Sequence, residues 1–132
     1  MAILGIDNVG VSVRDIKLVA GFFEDKVGVK VEMRLQTSPP SAHIYVGQNY
    51  LFMFQTTSQE LPNERQADVT HNPTGLDHIA FTCDNIDETY NSMFEKGVEF
   101  SGEPQSYPIW GIKMVGFKDP EGNWYYLVQN LS

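Results

Sequence analysis

Three histidines, His43, His71 and His78, and a single cysteine, Cys83, are the side chains of this chain best suited to proton transfer, nucleophilic attack or metal binding near neutral pH. In Asp77-His78-Ile79-Ala80-Phe81-Thr82, a period of two sends Ile79 and Phe81 to one face of a strand and His78, Ala80 and Thr82 to the other. His78 is therefore the candidate catalytic residue, because acid–base work by a histidine needs only reach and a suitable pKa. His43 stands at a different strand position and His71 in an aperiodic stretch, and both read as surface histidines. Cys83 ends its strand on the apolar face and reads as a buried small hydrophobe. Glu32 and Arg34 alternate with an apolar strand face; they could meet polar groups of a ligand, but solvated edge-strand charge is the plainer reading. No Ser-His-Asp spacing, phosphate-cradling glycine loop or HExxH pattern is present, so hydrolytic and nucleotide chemistry have no support.

The elements that position these residues come as a repeat. Ile6-Asp7-Asn8-Val9-Gly10-Val11-Ser12-Val13-Arg14-Asp15-Ile16 aligns without a gap with Leu76-Asp77-His78-Ile79-Ala80-Phe81-Thr82-Cys83-Asp84-Asn85-Ile86. Asn49-Tyr50-Leu51-Phe52-Met53-Phe54-Gln55 answers Asn123-Trp124-Tyr125-Tyr126-Leu127-Val128-Gln129. In the first copy the strand Val9–Val13 leads to an N-cap at Asp15 and a helix with Ile16, Val19, Ala20 and Phe23 on one stripe, which Gly28 stops. A strand through Val29, Val31, Met33 and Leu35 and a hairpin of 42–46 with 50–55 follow. The second copy predicts strands at 75–83, 98–101, 112–118 and 124–130, and a helix over 86–96 with a capping box at Asn85 and Glu88 and a stop at Gly97. Each copy reads βαβββ, with module 1 at about 3–56, module 2 at about 75–130, and a polar, proline-containing connector over 57–74.

A chain of 132 residues matches one domain on the usual scale of about 150 residues, so 1–132 reads as a single α+β domain. With 42% hydrophobic and 20% charged residues, disorder is not expected. A net charge of −8 with scattered basic residues argues against nucleic acid or an anionic membrane surface as partner. One cysteine rules out an internal disulfide and any cysteine-rich metal cluster. Without a spanning apolar run or a basic leader at the start, a cytoplasmic protein is expected.

The two βαβββ copies, the strand Leu76-Asp77-His78-Ile79-Ala80-Phe81 and the turn Asp119-Pro120-Glu121-Gly122-Asn123 before an aromatic strand resemble the vicinal oxygen chelate superfamily, which includes glyoxalase I, bleomycin-resistance proteins and extradiol dioxygenases. The resemblance covers nearly the whole chain. It implies mixed sheets curved around a cleft with helices on the convex side, and a two-fold homodimer. In metal-dependent members the ligands come from the first and fourth strands of each copy, commonly His and Glu; here those positions hold Asn8, Phe52, His78 and Tyr126. One retained ligand type falls short of the three protein ligands of a catalytic zinc or iron site, so no metal and no other cofactor is expected. The cleft the resemblance implies would be walled by Phe52, Phe54, Trp124 and Tyr126, with Asn8 and His78 as its polar groups and Trp110 on a loop over it. Two expectations follow: a protein that binds or sequesters a small, partly aromatic molecule, with cations mildly favoured, or a lyase, epimerase or dioxygenase that uses His78 with or without a divalent metal.

Overall fold

The structure, a computed structural model, describes residues 2–131. The chain divides after Gln59 into two units, each built on one four-stranded mixed sheet. The first unit runs β1 (Asn8–Val13), α1 (Ile16–Phe22), β2 (Lys30–Arg34), β3 (Ser41–Val46) and β4 (Asn49–Gln55), in the sheet order β1-β4-β3-β2. The second repeats it with β5 (Ile79–Thr82), α2 (Ile86–Glu95), β6 (Gln105–Tyr107), β7 (Ile112–Lys118) and β8 (Trp124–Asn130), in the order β5-β8-β7-β6. In both, the first strand pairs parallel with the last and the other pairs are antiparallel. The α+β class and the tandem βαβββ organisation are thus as the repeat predicts.

Each helix covers one face of its sheet. In the first unit α1 packs on β2, β3 and β4, where Ile16, Val19, Ala20 and Phe23 are buried with Val13, Ala42, Ile44, Leu51 and Met53. In the second, α2 packs on β8, and Ile86 and Met93 are buried along with Val115, Phe117, Tyr125 and Leu127. Burying one such side chain stabilises the fold by about 1.5–3 kcal/mol relative to exposure, so the helix-side faces carry most of the stability. Gly28 and Gly97 end the two helical segments at φ of 85° and 88°, a conformation that costs a residue with a Cβ.

The two helix starts show why the repeat extends to its last glutamine. Asp15 and Asn85 accept from the backbone N–H of Leu18 and Glu88 at 3.1 and 3.2 Å, as N-caps do. The amides of Ile16 and Ile86 donate to the Oε1 atoms of Gln55 and Gln129, at 3.1 and 2.8 Å. Each closing glutamine thus ties the end of the last strand to the first turn of the helix, satisfying a donor that the helix cannot pair internally.

The Asp119-Pro120-Glu121-Gly122-Asn123 turn is held by one buried carboxylate, 4% exposed. Asp119 Oδ1 accepts from the amides of Glu121 and Asn123 at 2.8 and 3.1 Å, and Oδ2 accepts from the Asn123 side-chain amide and the Tyr125 hydroxyl, both at 2.8 Å. Burial first, and then the charge of Asp119, push the Tyr125 phenol well above its ordinary value, so it remains a donor to that carboxylate.

The edge of the second sheet differs from expectation. Residues 98–101 form no strand of the sheet; a single bridge joins Phe100 to Phe117, with Ser101 N–H donating to Gly116 O at 2.8 Å. The chain then leaves β7 through Gly102, at φ 154°, and Glu103-Pro104, and returns as β6. Pro104 has no N–H to give a ladder, and the glycine before it permits the detour, so the edge breaks in two. The stretch expected as a connector also takes part in the second unit: the Trp124 indole N–H donates to Arg65 O, the Tyr126 hydroxyl donates to Ala67 O at 3.3 Å, and Asn72 Nδ2 donates to Asp77 at 2.7 Å.

Asp119→Ala should lower stability by about 3 kcal/mol or more, since it strips four hydrogen bonds from a charged acceptor and leaves the Tyr125 hydroxyl buried without its partner. Tyr125→Phe, which removes one of the four, should cost about 1–2 kcal/mol. Urea unfolding of the two variants checks the ranking.

Candidate functional site

The faces turned away from the helices carry the polar and aromatic residues. In the first unit, register puts Asn8, Gly10 and Ser12 of β1 beside Tyr50, Phe52 and Phe54 of β4, which face Tyr45, His43 and Ser41 of β3. Lys30, Glu32 and Arg34 of β2 complete that face. The rings form a continuous set, all half-buried: Phe52 lies 5.8 Å from Phe54, and His43 lies 4.7 Å from Tyr50, 5.6 Å from Phe52 and 6.0 Å from Tyr45. Asn8 is exposed and donates to Asp7, which also accepts from the Tyr50 hydroxyl. That bond, with burial second, raises the Tyr50 phenol. Glu32 and Arg34 share this face but pair with each other at an exposed position; the hydrogen bond from Arg34 lowers the Glu32 carboxyl, and Tyr45 donates to Glu32 at 3.3 Å.

His43 is the residue that sequence reading undervalued. It sits at the centre of the aromatic set, and its Nδ1 is buried without a hydrogen-bond partner. Native interiors pair most such atoms, so this orphan is an unmet polar group within the half-buried aromatic set. The alternation His43-Ile44-Tyr45 opposite Tyr50-Leu51-Phe52 carried that signal, since a hairpin puts the odd-numbered members of one arm on the same face as the even-numbered members of the other.

In the second unit His78 lies just before β5. Its Nδ1 is 2.7 Å from Asp77 Oδ2, and its ring meets Tyr126 edge-on at 4.4 Å. Asp77 also accepts from Asn72, and the Arg65 guanidinium stands 3.7 Å away. The hydrogen bond from His78 is the main cause that lowers the Asp77 carboxyl, against a smaller opposing push from burial. Asp77 therefore stays ionised and holds the imidazole with Nε2 directed away from it. Trp124 and Tyr126 are not open walls: they are 8% and 6% exposed, stacked 6.3 Å apart and covered in part by the 65–67 backbone. Burial, with Asp77 adding to it, raises the Tyr126 phenol.

Trp110 lies in a single helical turn, Pro108–Trp110, and is 65% exposed, with its ring stacked on Tyr107 at 5.7 Å. Of the expected ligand-binding residues, then, the structure places Asn8, Phe52 and Phe54 on one face of the first unit, and His78, Trp124 and Tyr126 together in the second. Cys83 is half-buried, and burial raises its thiol above the ordinary value, which makes it a poor nucleophile. His71 closes the short turn Val69–His71. Among the described residues, no three His, Cys, Asp or Glu side chains come together as a metal would require, and no helix is long and apolar enough to cross a membrane.

The Asp77 carboxyl should titrate below the ordinary aspartate value in a carboxyl-detected NMR titration, and His78→Ala should return its midpoint toward 3.8. Because the folded value is the lower one, the stability Asp77 contributes is complete above the ordinary value and disappears as pH falls through the lowered one.

Comparison with known proteins agrees with this architecture. Residues 5–127 match the family model described as the glyoxalase/bleomycin resistance protein/dioxygenase superfamily. The uncharacterized protein YetH of Bacillus subtilis is 29% identical over 126 residues, covering 92% of this chain and 95% of that protein. A superfamily member from Sphaerobacter thermophilus superposes with a TM-score of 0.74 at 21% identity, covering 97% of this chain and 98% of the other. The genomically encoded fosfomycin resistance protein FosX of Listeria monocytogenes superposes with a TM-score of 0.73 at 16% identity, covering 98% and 95%. These two solved structures share the fold with this chain. The matched span takes in both helices and every strand except the last three residues of β8, and the chain belongs to the glyoxalase/bleomycin resistance protein/dioxygenase superfamily.

Proposed function

We propose that the protein binds a small, partly aromatic molecule, and that it does so without a metal. The observation that carries this reading is the half-buried aromatic face of the first unit, where Tyr45, Tyr50 and Phe52 stand around His43 and Phe54 continues the set from Phe52. Contiguous aromatic surface left partly open to water favours a partner that covers it, and ring faces give an aromatic ligand a place to stack. The positions that supply metal ligands elsewhere in the superfamily fit a metal poorly here. Asn8 is tied to Asp7, Phe52 has no donor atom, Tyr126 gives its hydroxyl hydrogen to Ala67, and only His78 remains.

A second reading has one observation in its favour, the Asp77–His78 hydrogen bond. A carboxylate on Nδ1 fixes the tautomer that leaves Nε2 free to accept a proton, so a lyase or isomerase step with His78 as base is the alternative. The two readings part on His78→Ala, which abolishes turnover under the second and leaves binding on the first unit's face intact under the first.

As a binding probe, the neutral indole alcohol tryptophol should shift amide signals of β3 and β4 in an NMR titration. Phe52→Ala should weaken that binding about tenfold, the worth of about 1.4 kcal/mol of lost ring contact. Shifts absent from β3 and β4 would refute the reading.

The same reading takes the protein as a cytoplasmic homodimer, with the exposed Ile109 and Trp110 among its contacts. Light scattering should then give about twice the 14.9 kDa of one chain, and a single-chain mass unchanged on tenfold concentration would overturn the dimer.

A further inference from the structure

The two copies of the module differ most where the second sheet's edge breaks. In the first unit, β2 and β3 pair without interruption from Lys30↔Tyr45 to Arg34↔Ser41, and His43 lies opposite Phe52. In the second, the residue opposite Tyr126 is Gly116, and the edge beside it departs at Gly102-Glu103-Pro104. A Cβ at Gly116 would stand 2.9 Å from the Trp124 ring, 3.0 Å from the Tyr126 ring and 3.2 Å from Ser101 Oγ, so this backbone position accepts glycine alone without a shift of its neighbours. Ser101 Oγ accepts from the Gly116 amide at 3.0 Å and so pins the last paired residue before the break. Breaks of this kind re-aim side chains and open space beside a sheet.

The space opened is a cavity of about 260 Å³, floored by Met114, Val115 and Gly116. Tyr107, Tyr126, Asp68 and Glu103 are among its other lining residues, and no Lys, Arg or His is. Two hydrogen bonds from Thr70 lower the Asp68 carboxyl, so its charge is in place at neutral pH. The lining residues therefore include two acids, two tyrosines and a methionine, and no basic side chain.

We propose that this cavity is a binding site for an organic ammonium group carried on a small apolar or aromatic body. An anion would meet two uncompensated carboxylates. A hard metal ion takes six or more oxygens in a tight shell, whereas the residues lining this cavity include two tyrosines and Met114 and only two acids. An alkylammonium satisfies both kinds of lining at once, with its charge against the carboxylates and ring faces and its carbon body against the floor. The proposal concerns the second unit alone and does not depend on the aromatic face of the first.

The probe is 2-phenylethylammonium, with 2-phenylethanol and phenylacetate as neutral and anionic counterparts, titrated calorimetrically and by NMR. The ammonium compound should bind at least tenfold more tightly than the alcohol, phenylacetate should not bind, and amide shifts should centre on residues 101–105 and 68. Asp68→Asn with Glu103→Gln keeps the shapes, and the asparagine keeps an oxygen for Thr70; this pair should remove the tenfold preference while binding of the alcohol is unchanged. Asp25→Asn with Glu95→Gln, an equal loss of charge elsewhere, should leave the preference intact. Equal affinity for the ammonium and the alcohol, no binding of the ammonium, or a preference that survives the cavity variant or falls equally in the control would each overturn the proposal.

Discussion

One helix covers one face of each sheet, and everything distinctive about this protein follows from that one-sided cover. Strand side chains alternate strictly, so half of every strand is committed to the helix and half is left to face something else. On the committed side the choice is narrow: Val, Ile, Leu, Met and Phe close-packed with the stripes of α1 and α2, every one of the deepest residues within a few percent of full burial. On the other side the constraint is lifted, and there the two copies of an otherwise faithful repeat have diverged. Asn8 stands where the second copy has His78, Tyr50 where it has Trp124, and His43 where it has Gly116.

That last difference has the largest structural effect. A histidine at the third-strand position fills the face of the first sheet with a ring that touches three tyrosine and phenylalanine neighbours. A glycine at the matching position lets Trp124 and Tyr126 lie down over the second sheet and leaves the edge free to break. The same module thus yields a continuous set of aromatic rings in one copy and a cavity in the other, through one side chain and one interrupted ladder. His78 belongs to this divergence as well. Its partner is the residue before it, and the equivalent first-copy pair, Asp7 and Asn8, keeps the hydrogen bond while losing the ring that can exchange protons.

The polar groups that are buried serve the frame. Asp119 organises the turn between β7 and β8 by accepting four hydrogen bonds, and the paired glutamines Gln55 and Gln129 lock strand ends to helix starts. These contacts are local in space and repeat between copies or recur within one turn, which is why the residues that make them stand out as motifs.

The sequence by itself determined the modules, the helix caps, the stop glycines and the face assignment of nearly every strand residue, because period-two and period-3.6 patterns, capping chemistry and turn residues are local properties that a chain writes into consecutive positions. It also placed Phe52 with Phe54 and His78 apart from Ile79 and Phe81. Only the tertiary structure decided what depends on residues far apart in the chain. Arg65 and Ala67, read as connector, cover Trp124 and Tyr126, because indole and phenol groups need acceptors that no strand neighbour supplies. The strand expected at 98–101 became a single bridge, since pairing depends on what β7 presents and on whether Gly102-Glu103-Pro104 can stay in register, and a local pattern cannot report either. His43 gained its surroundings from β2 and β4 together, and the cavity over Gly116 from four separate stretches of chain. Such sites are set by the meeting of strands, which hydrogen-bond register fixes and which consecutive residues do not encode.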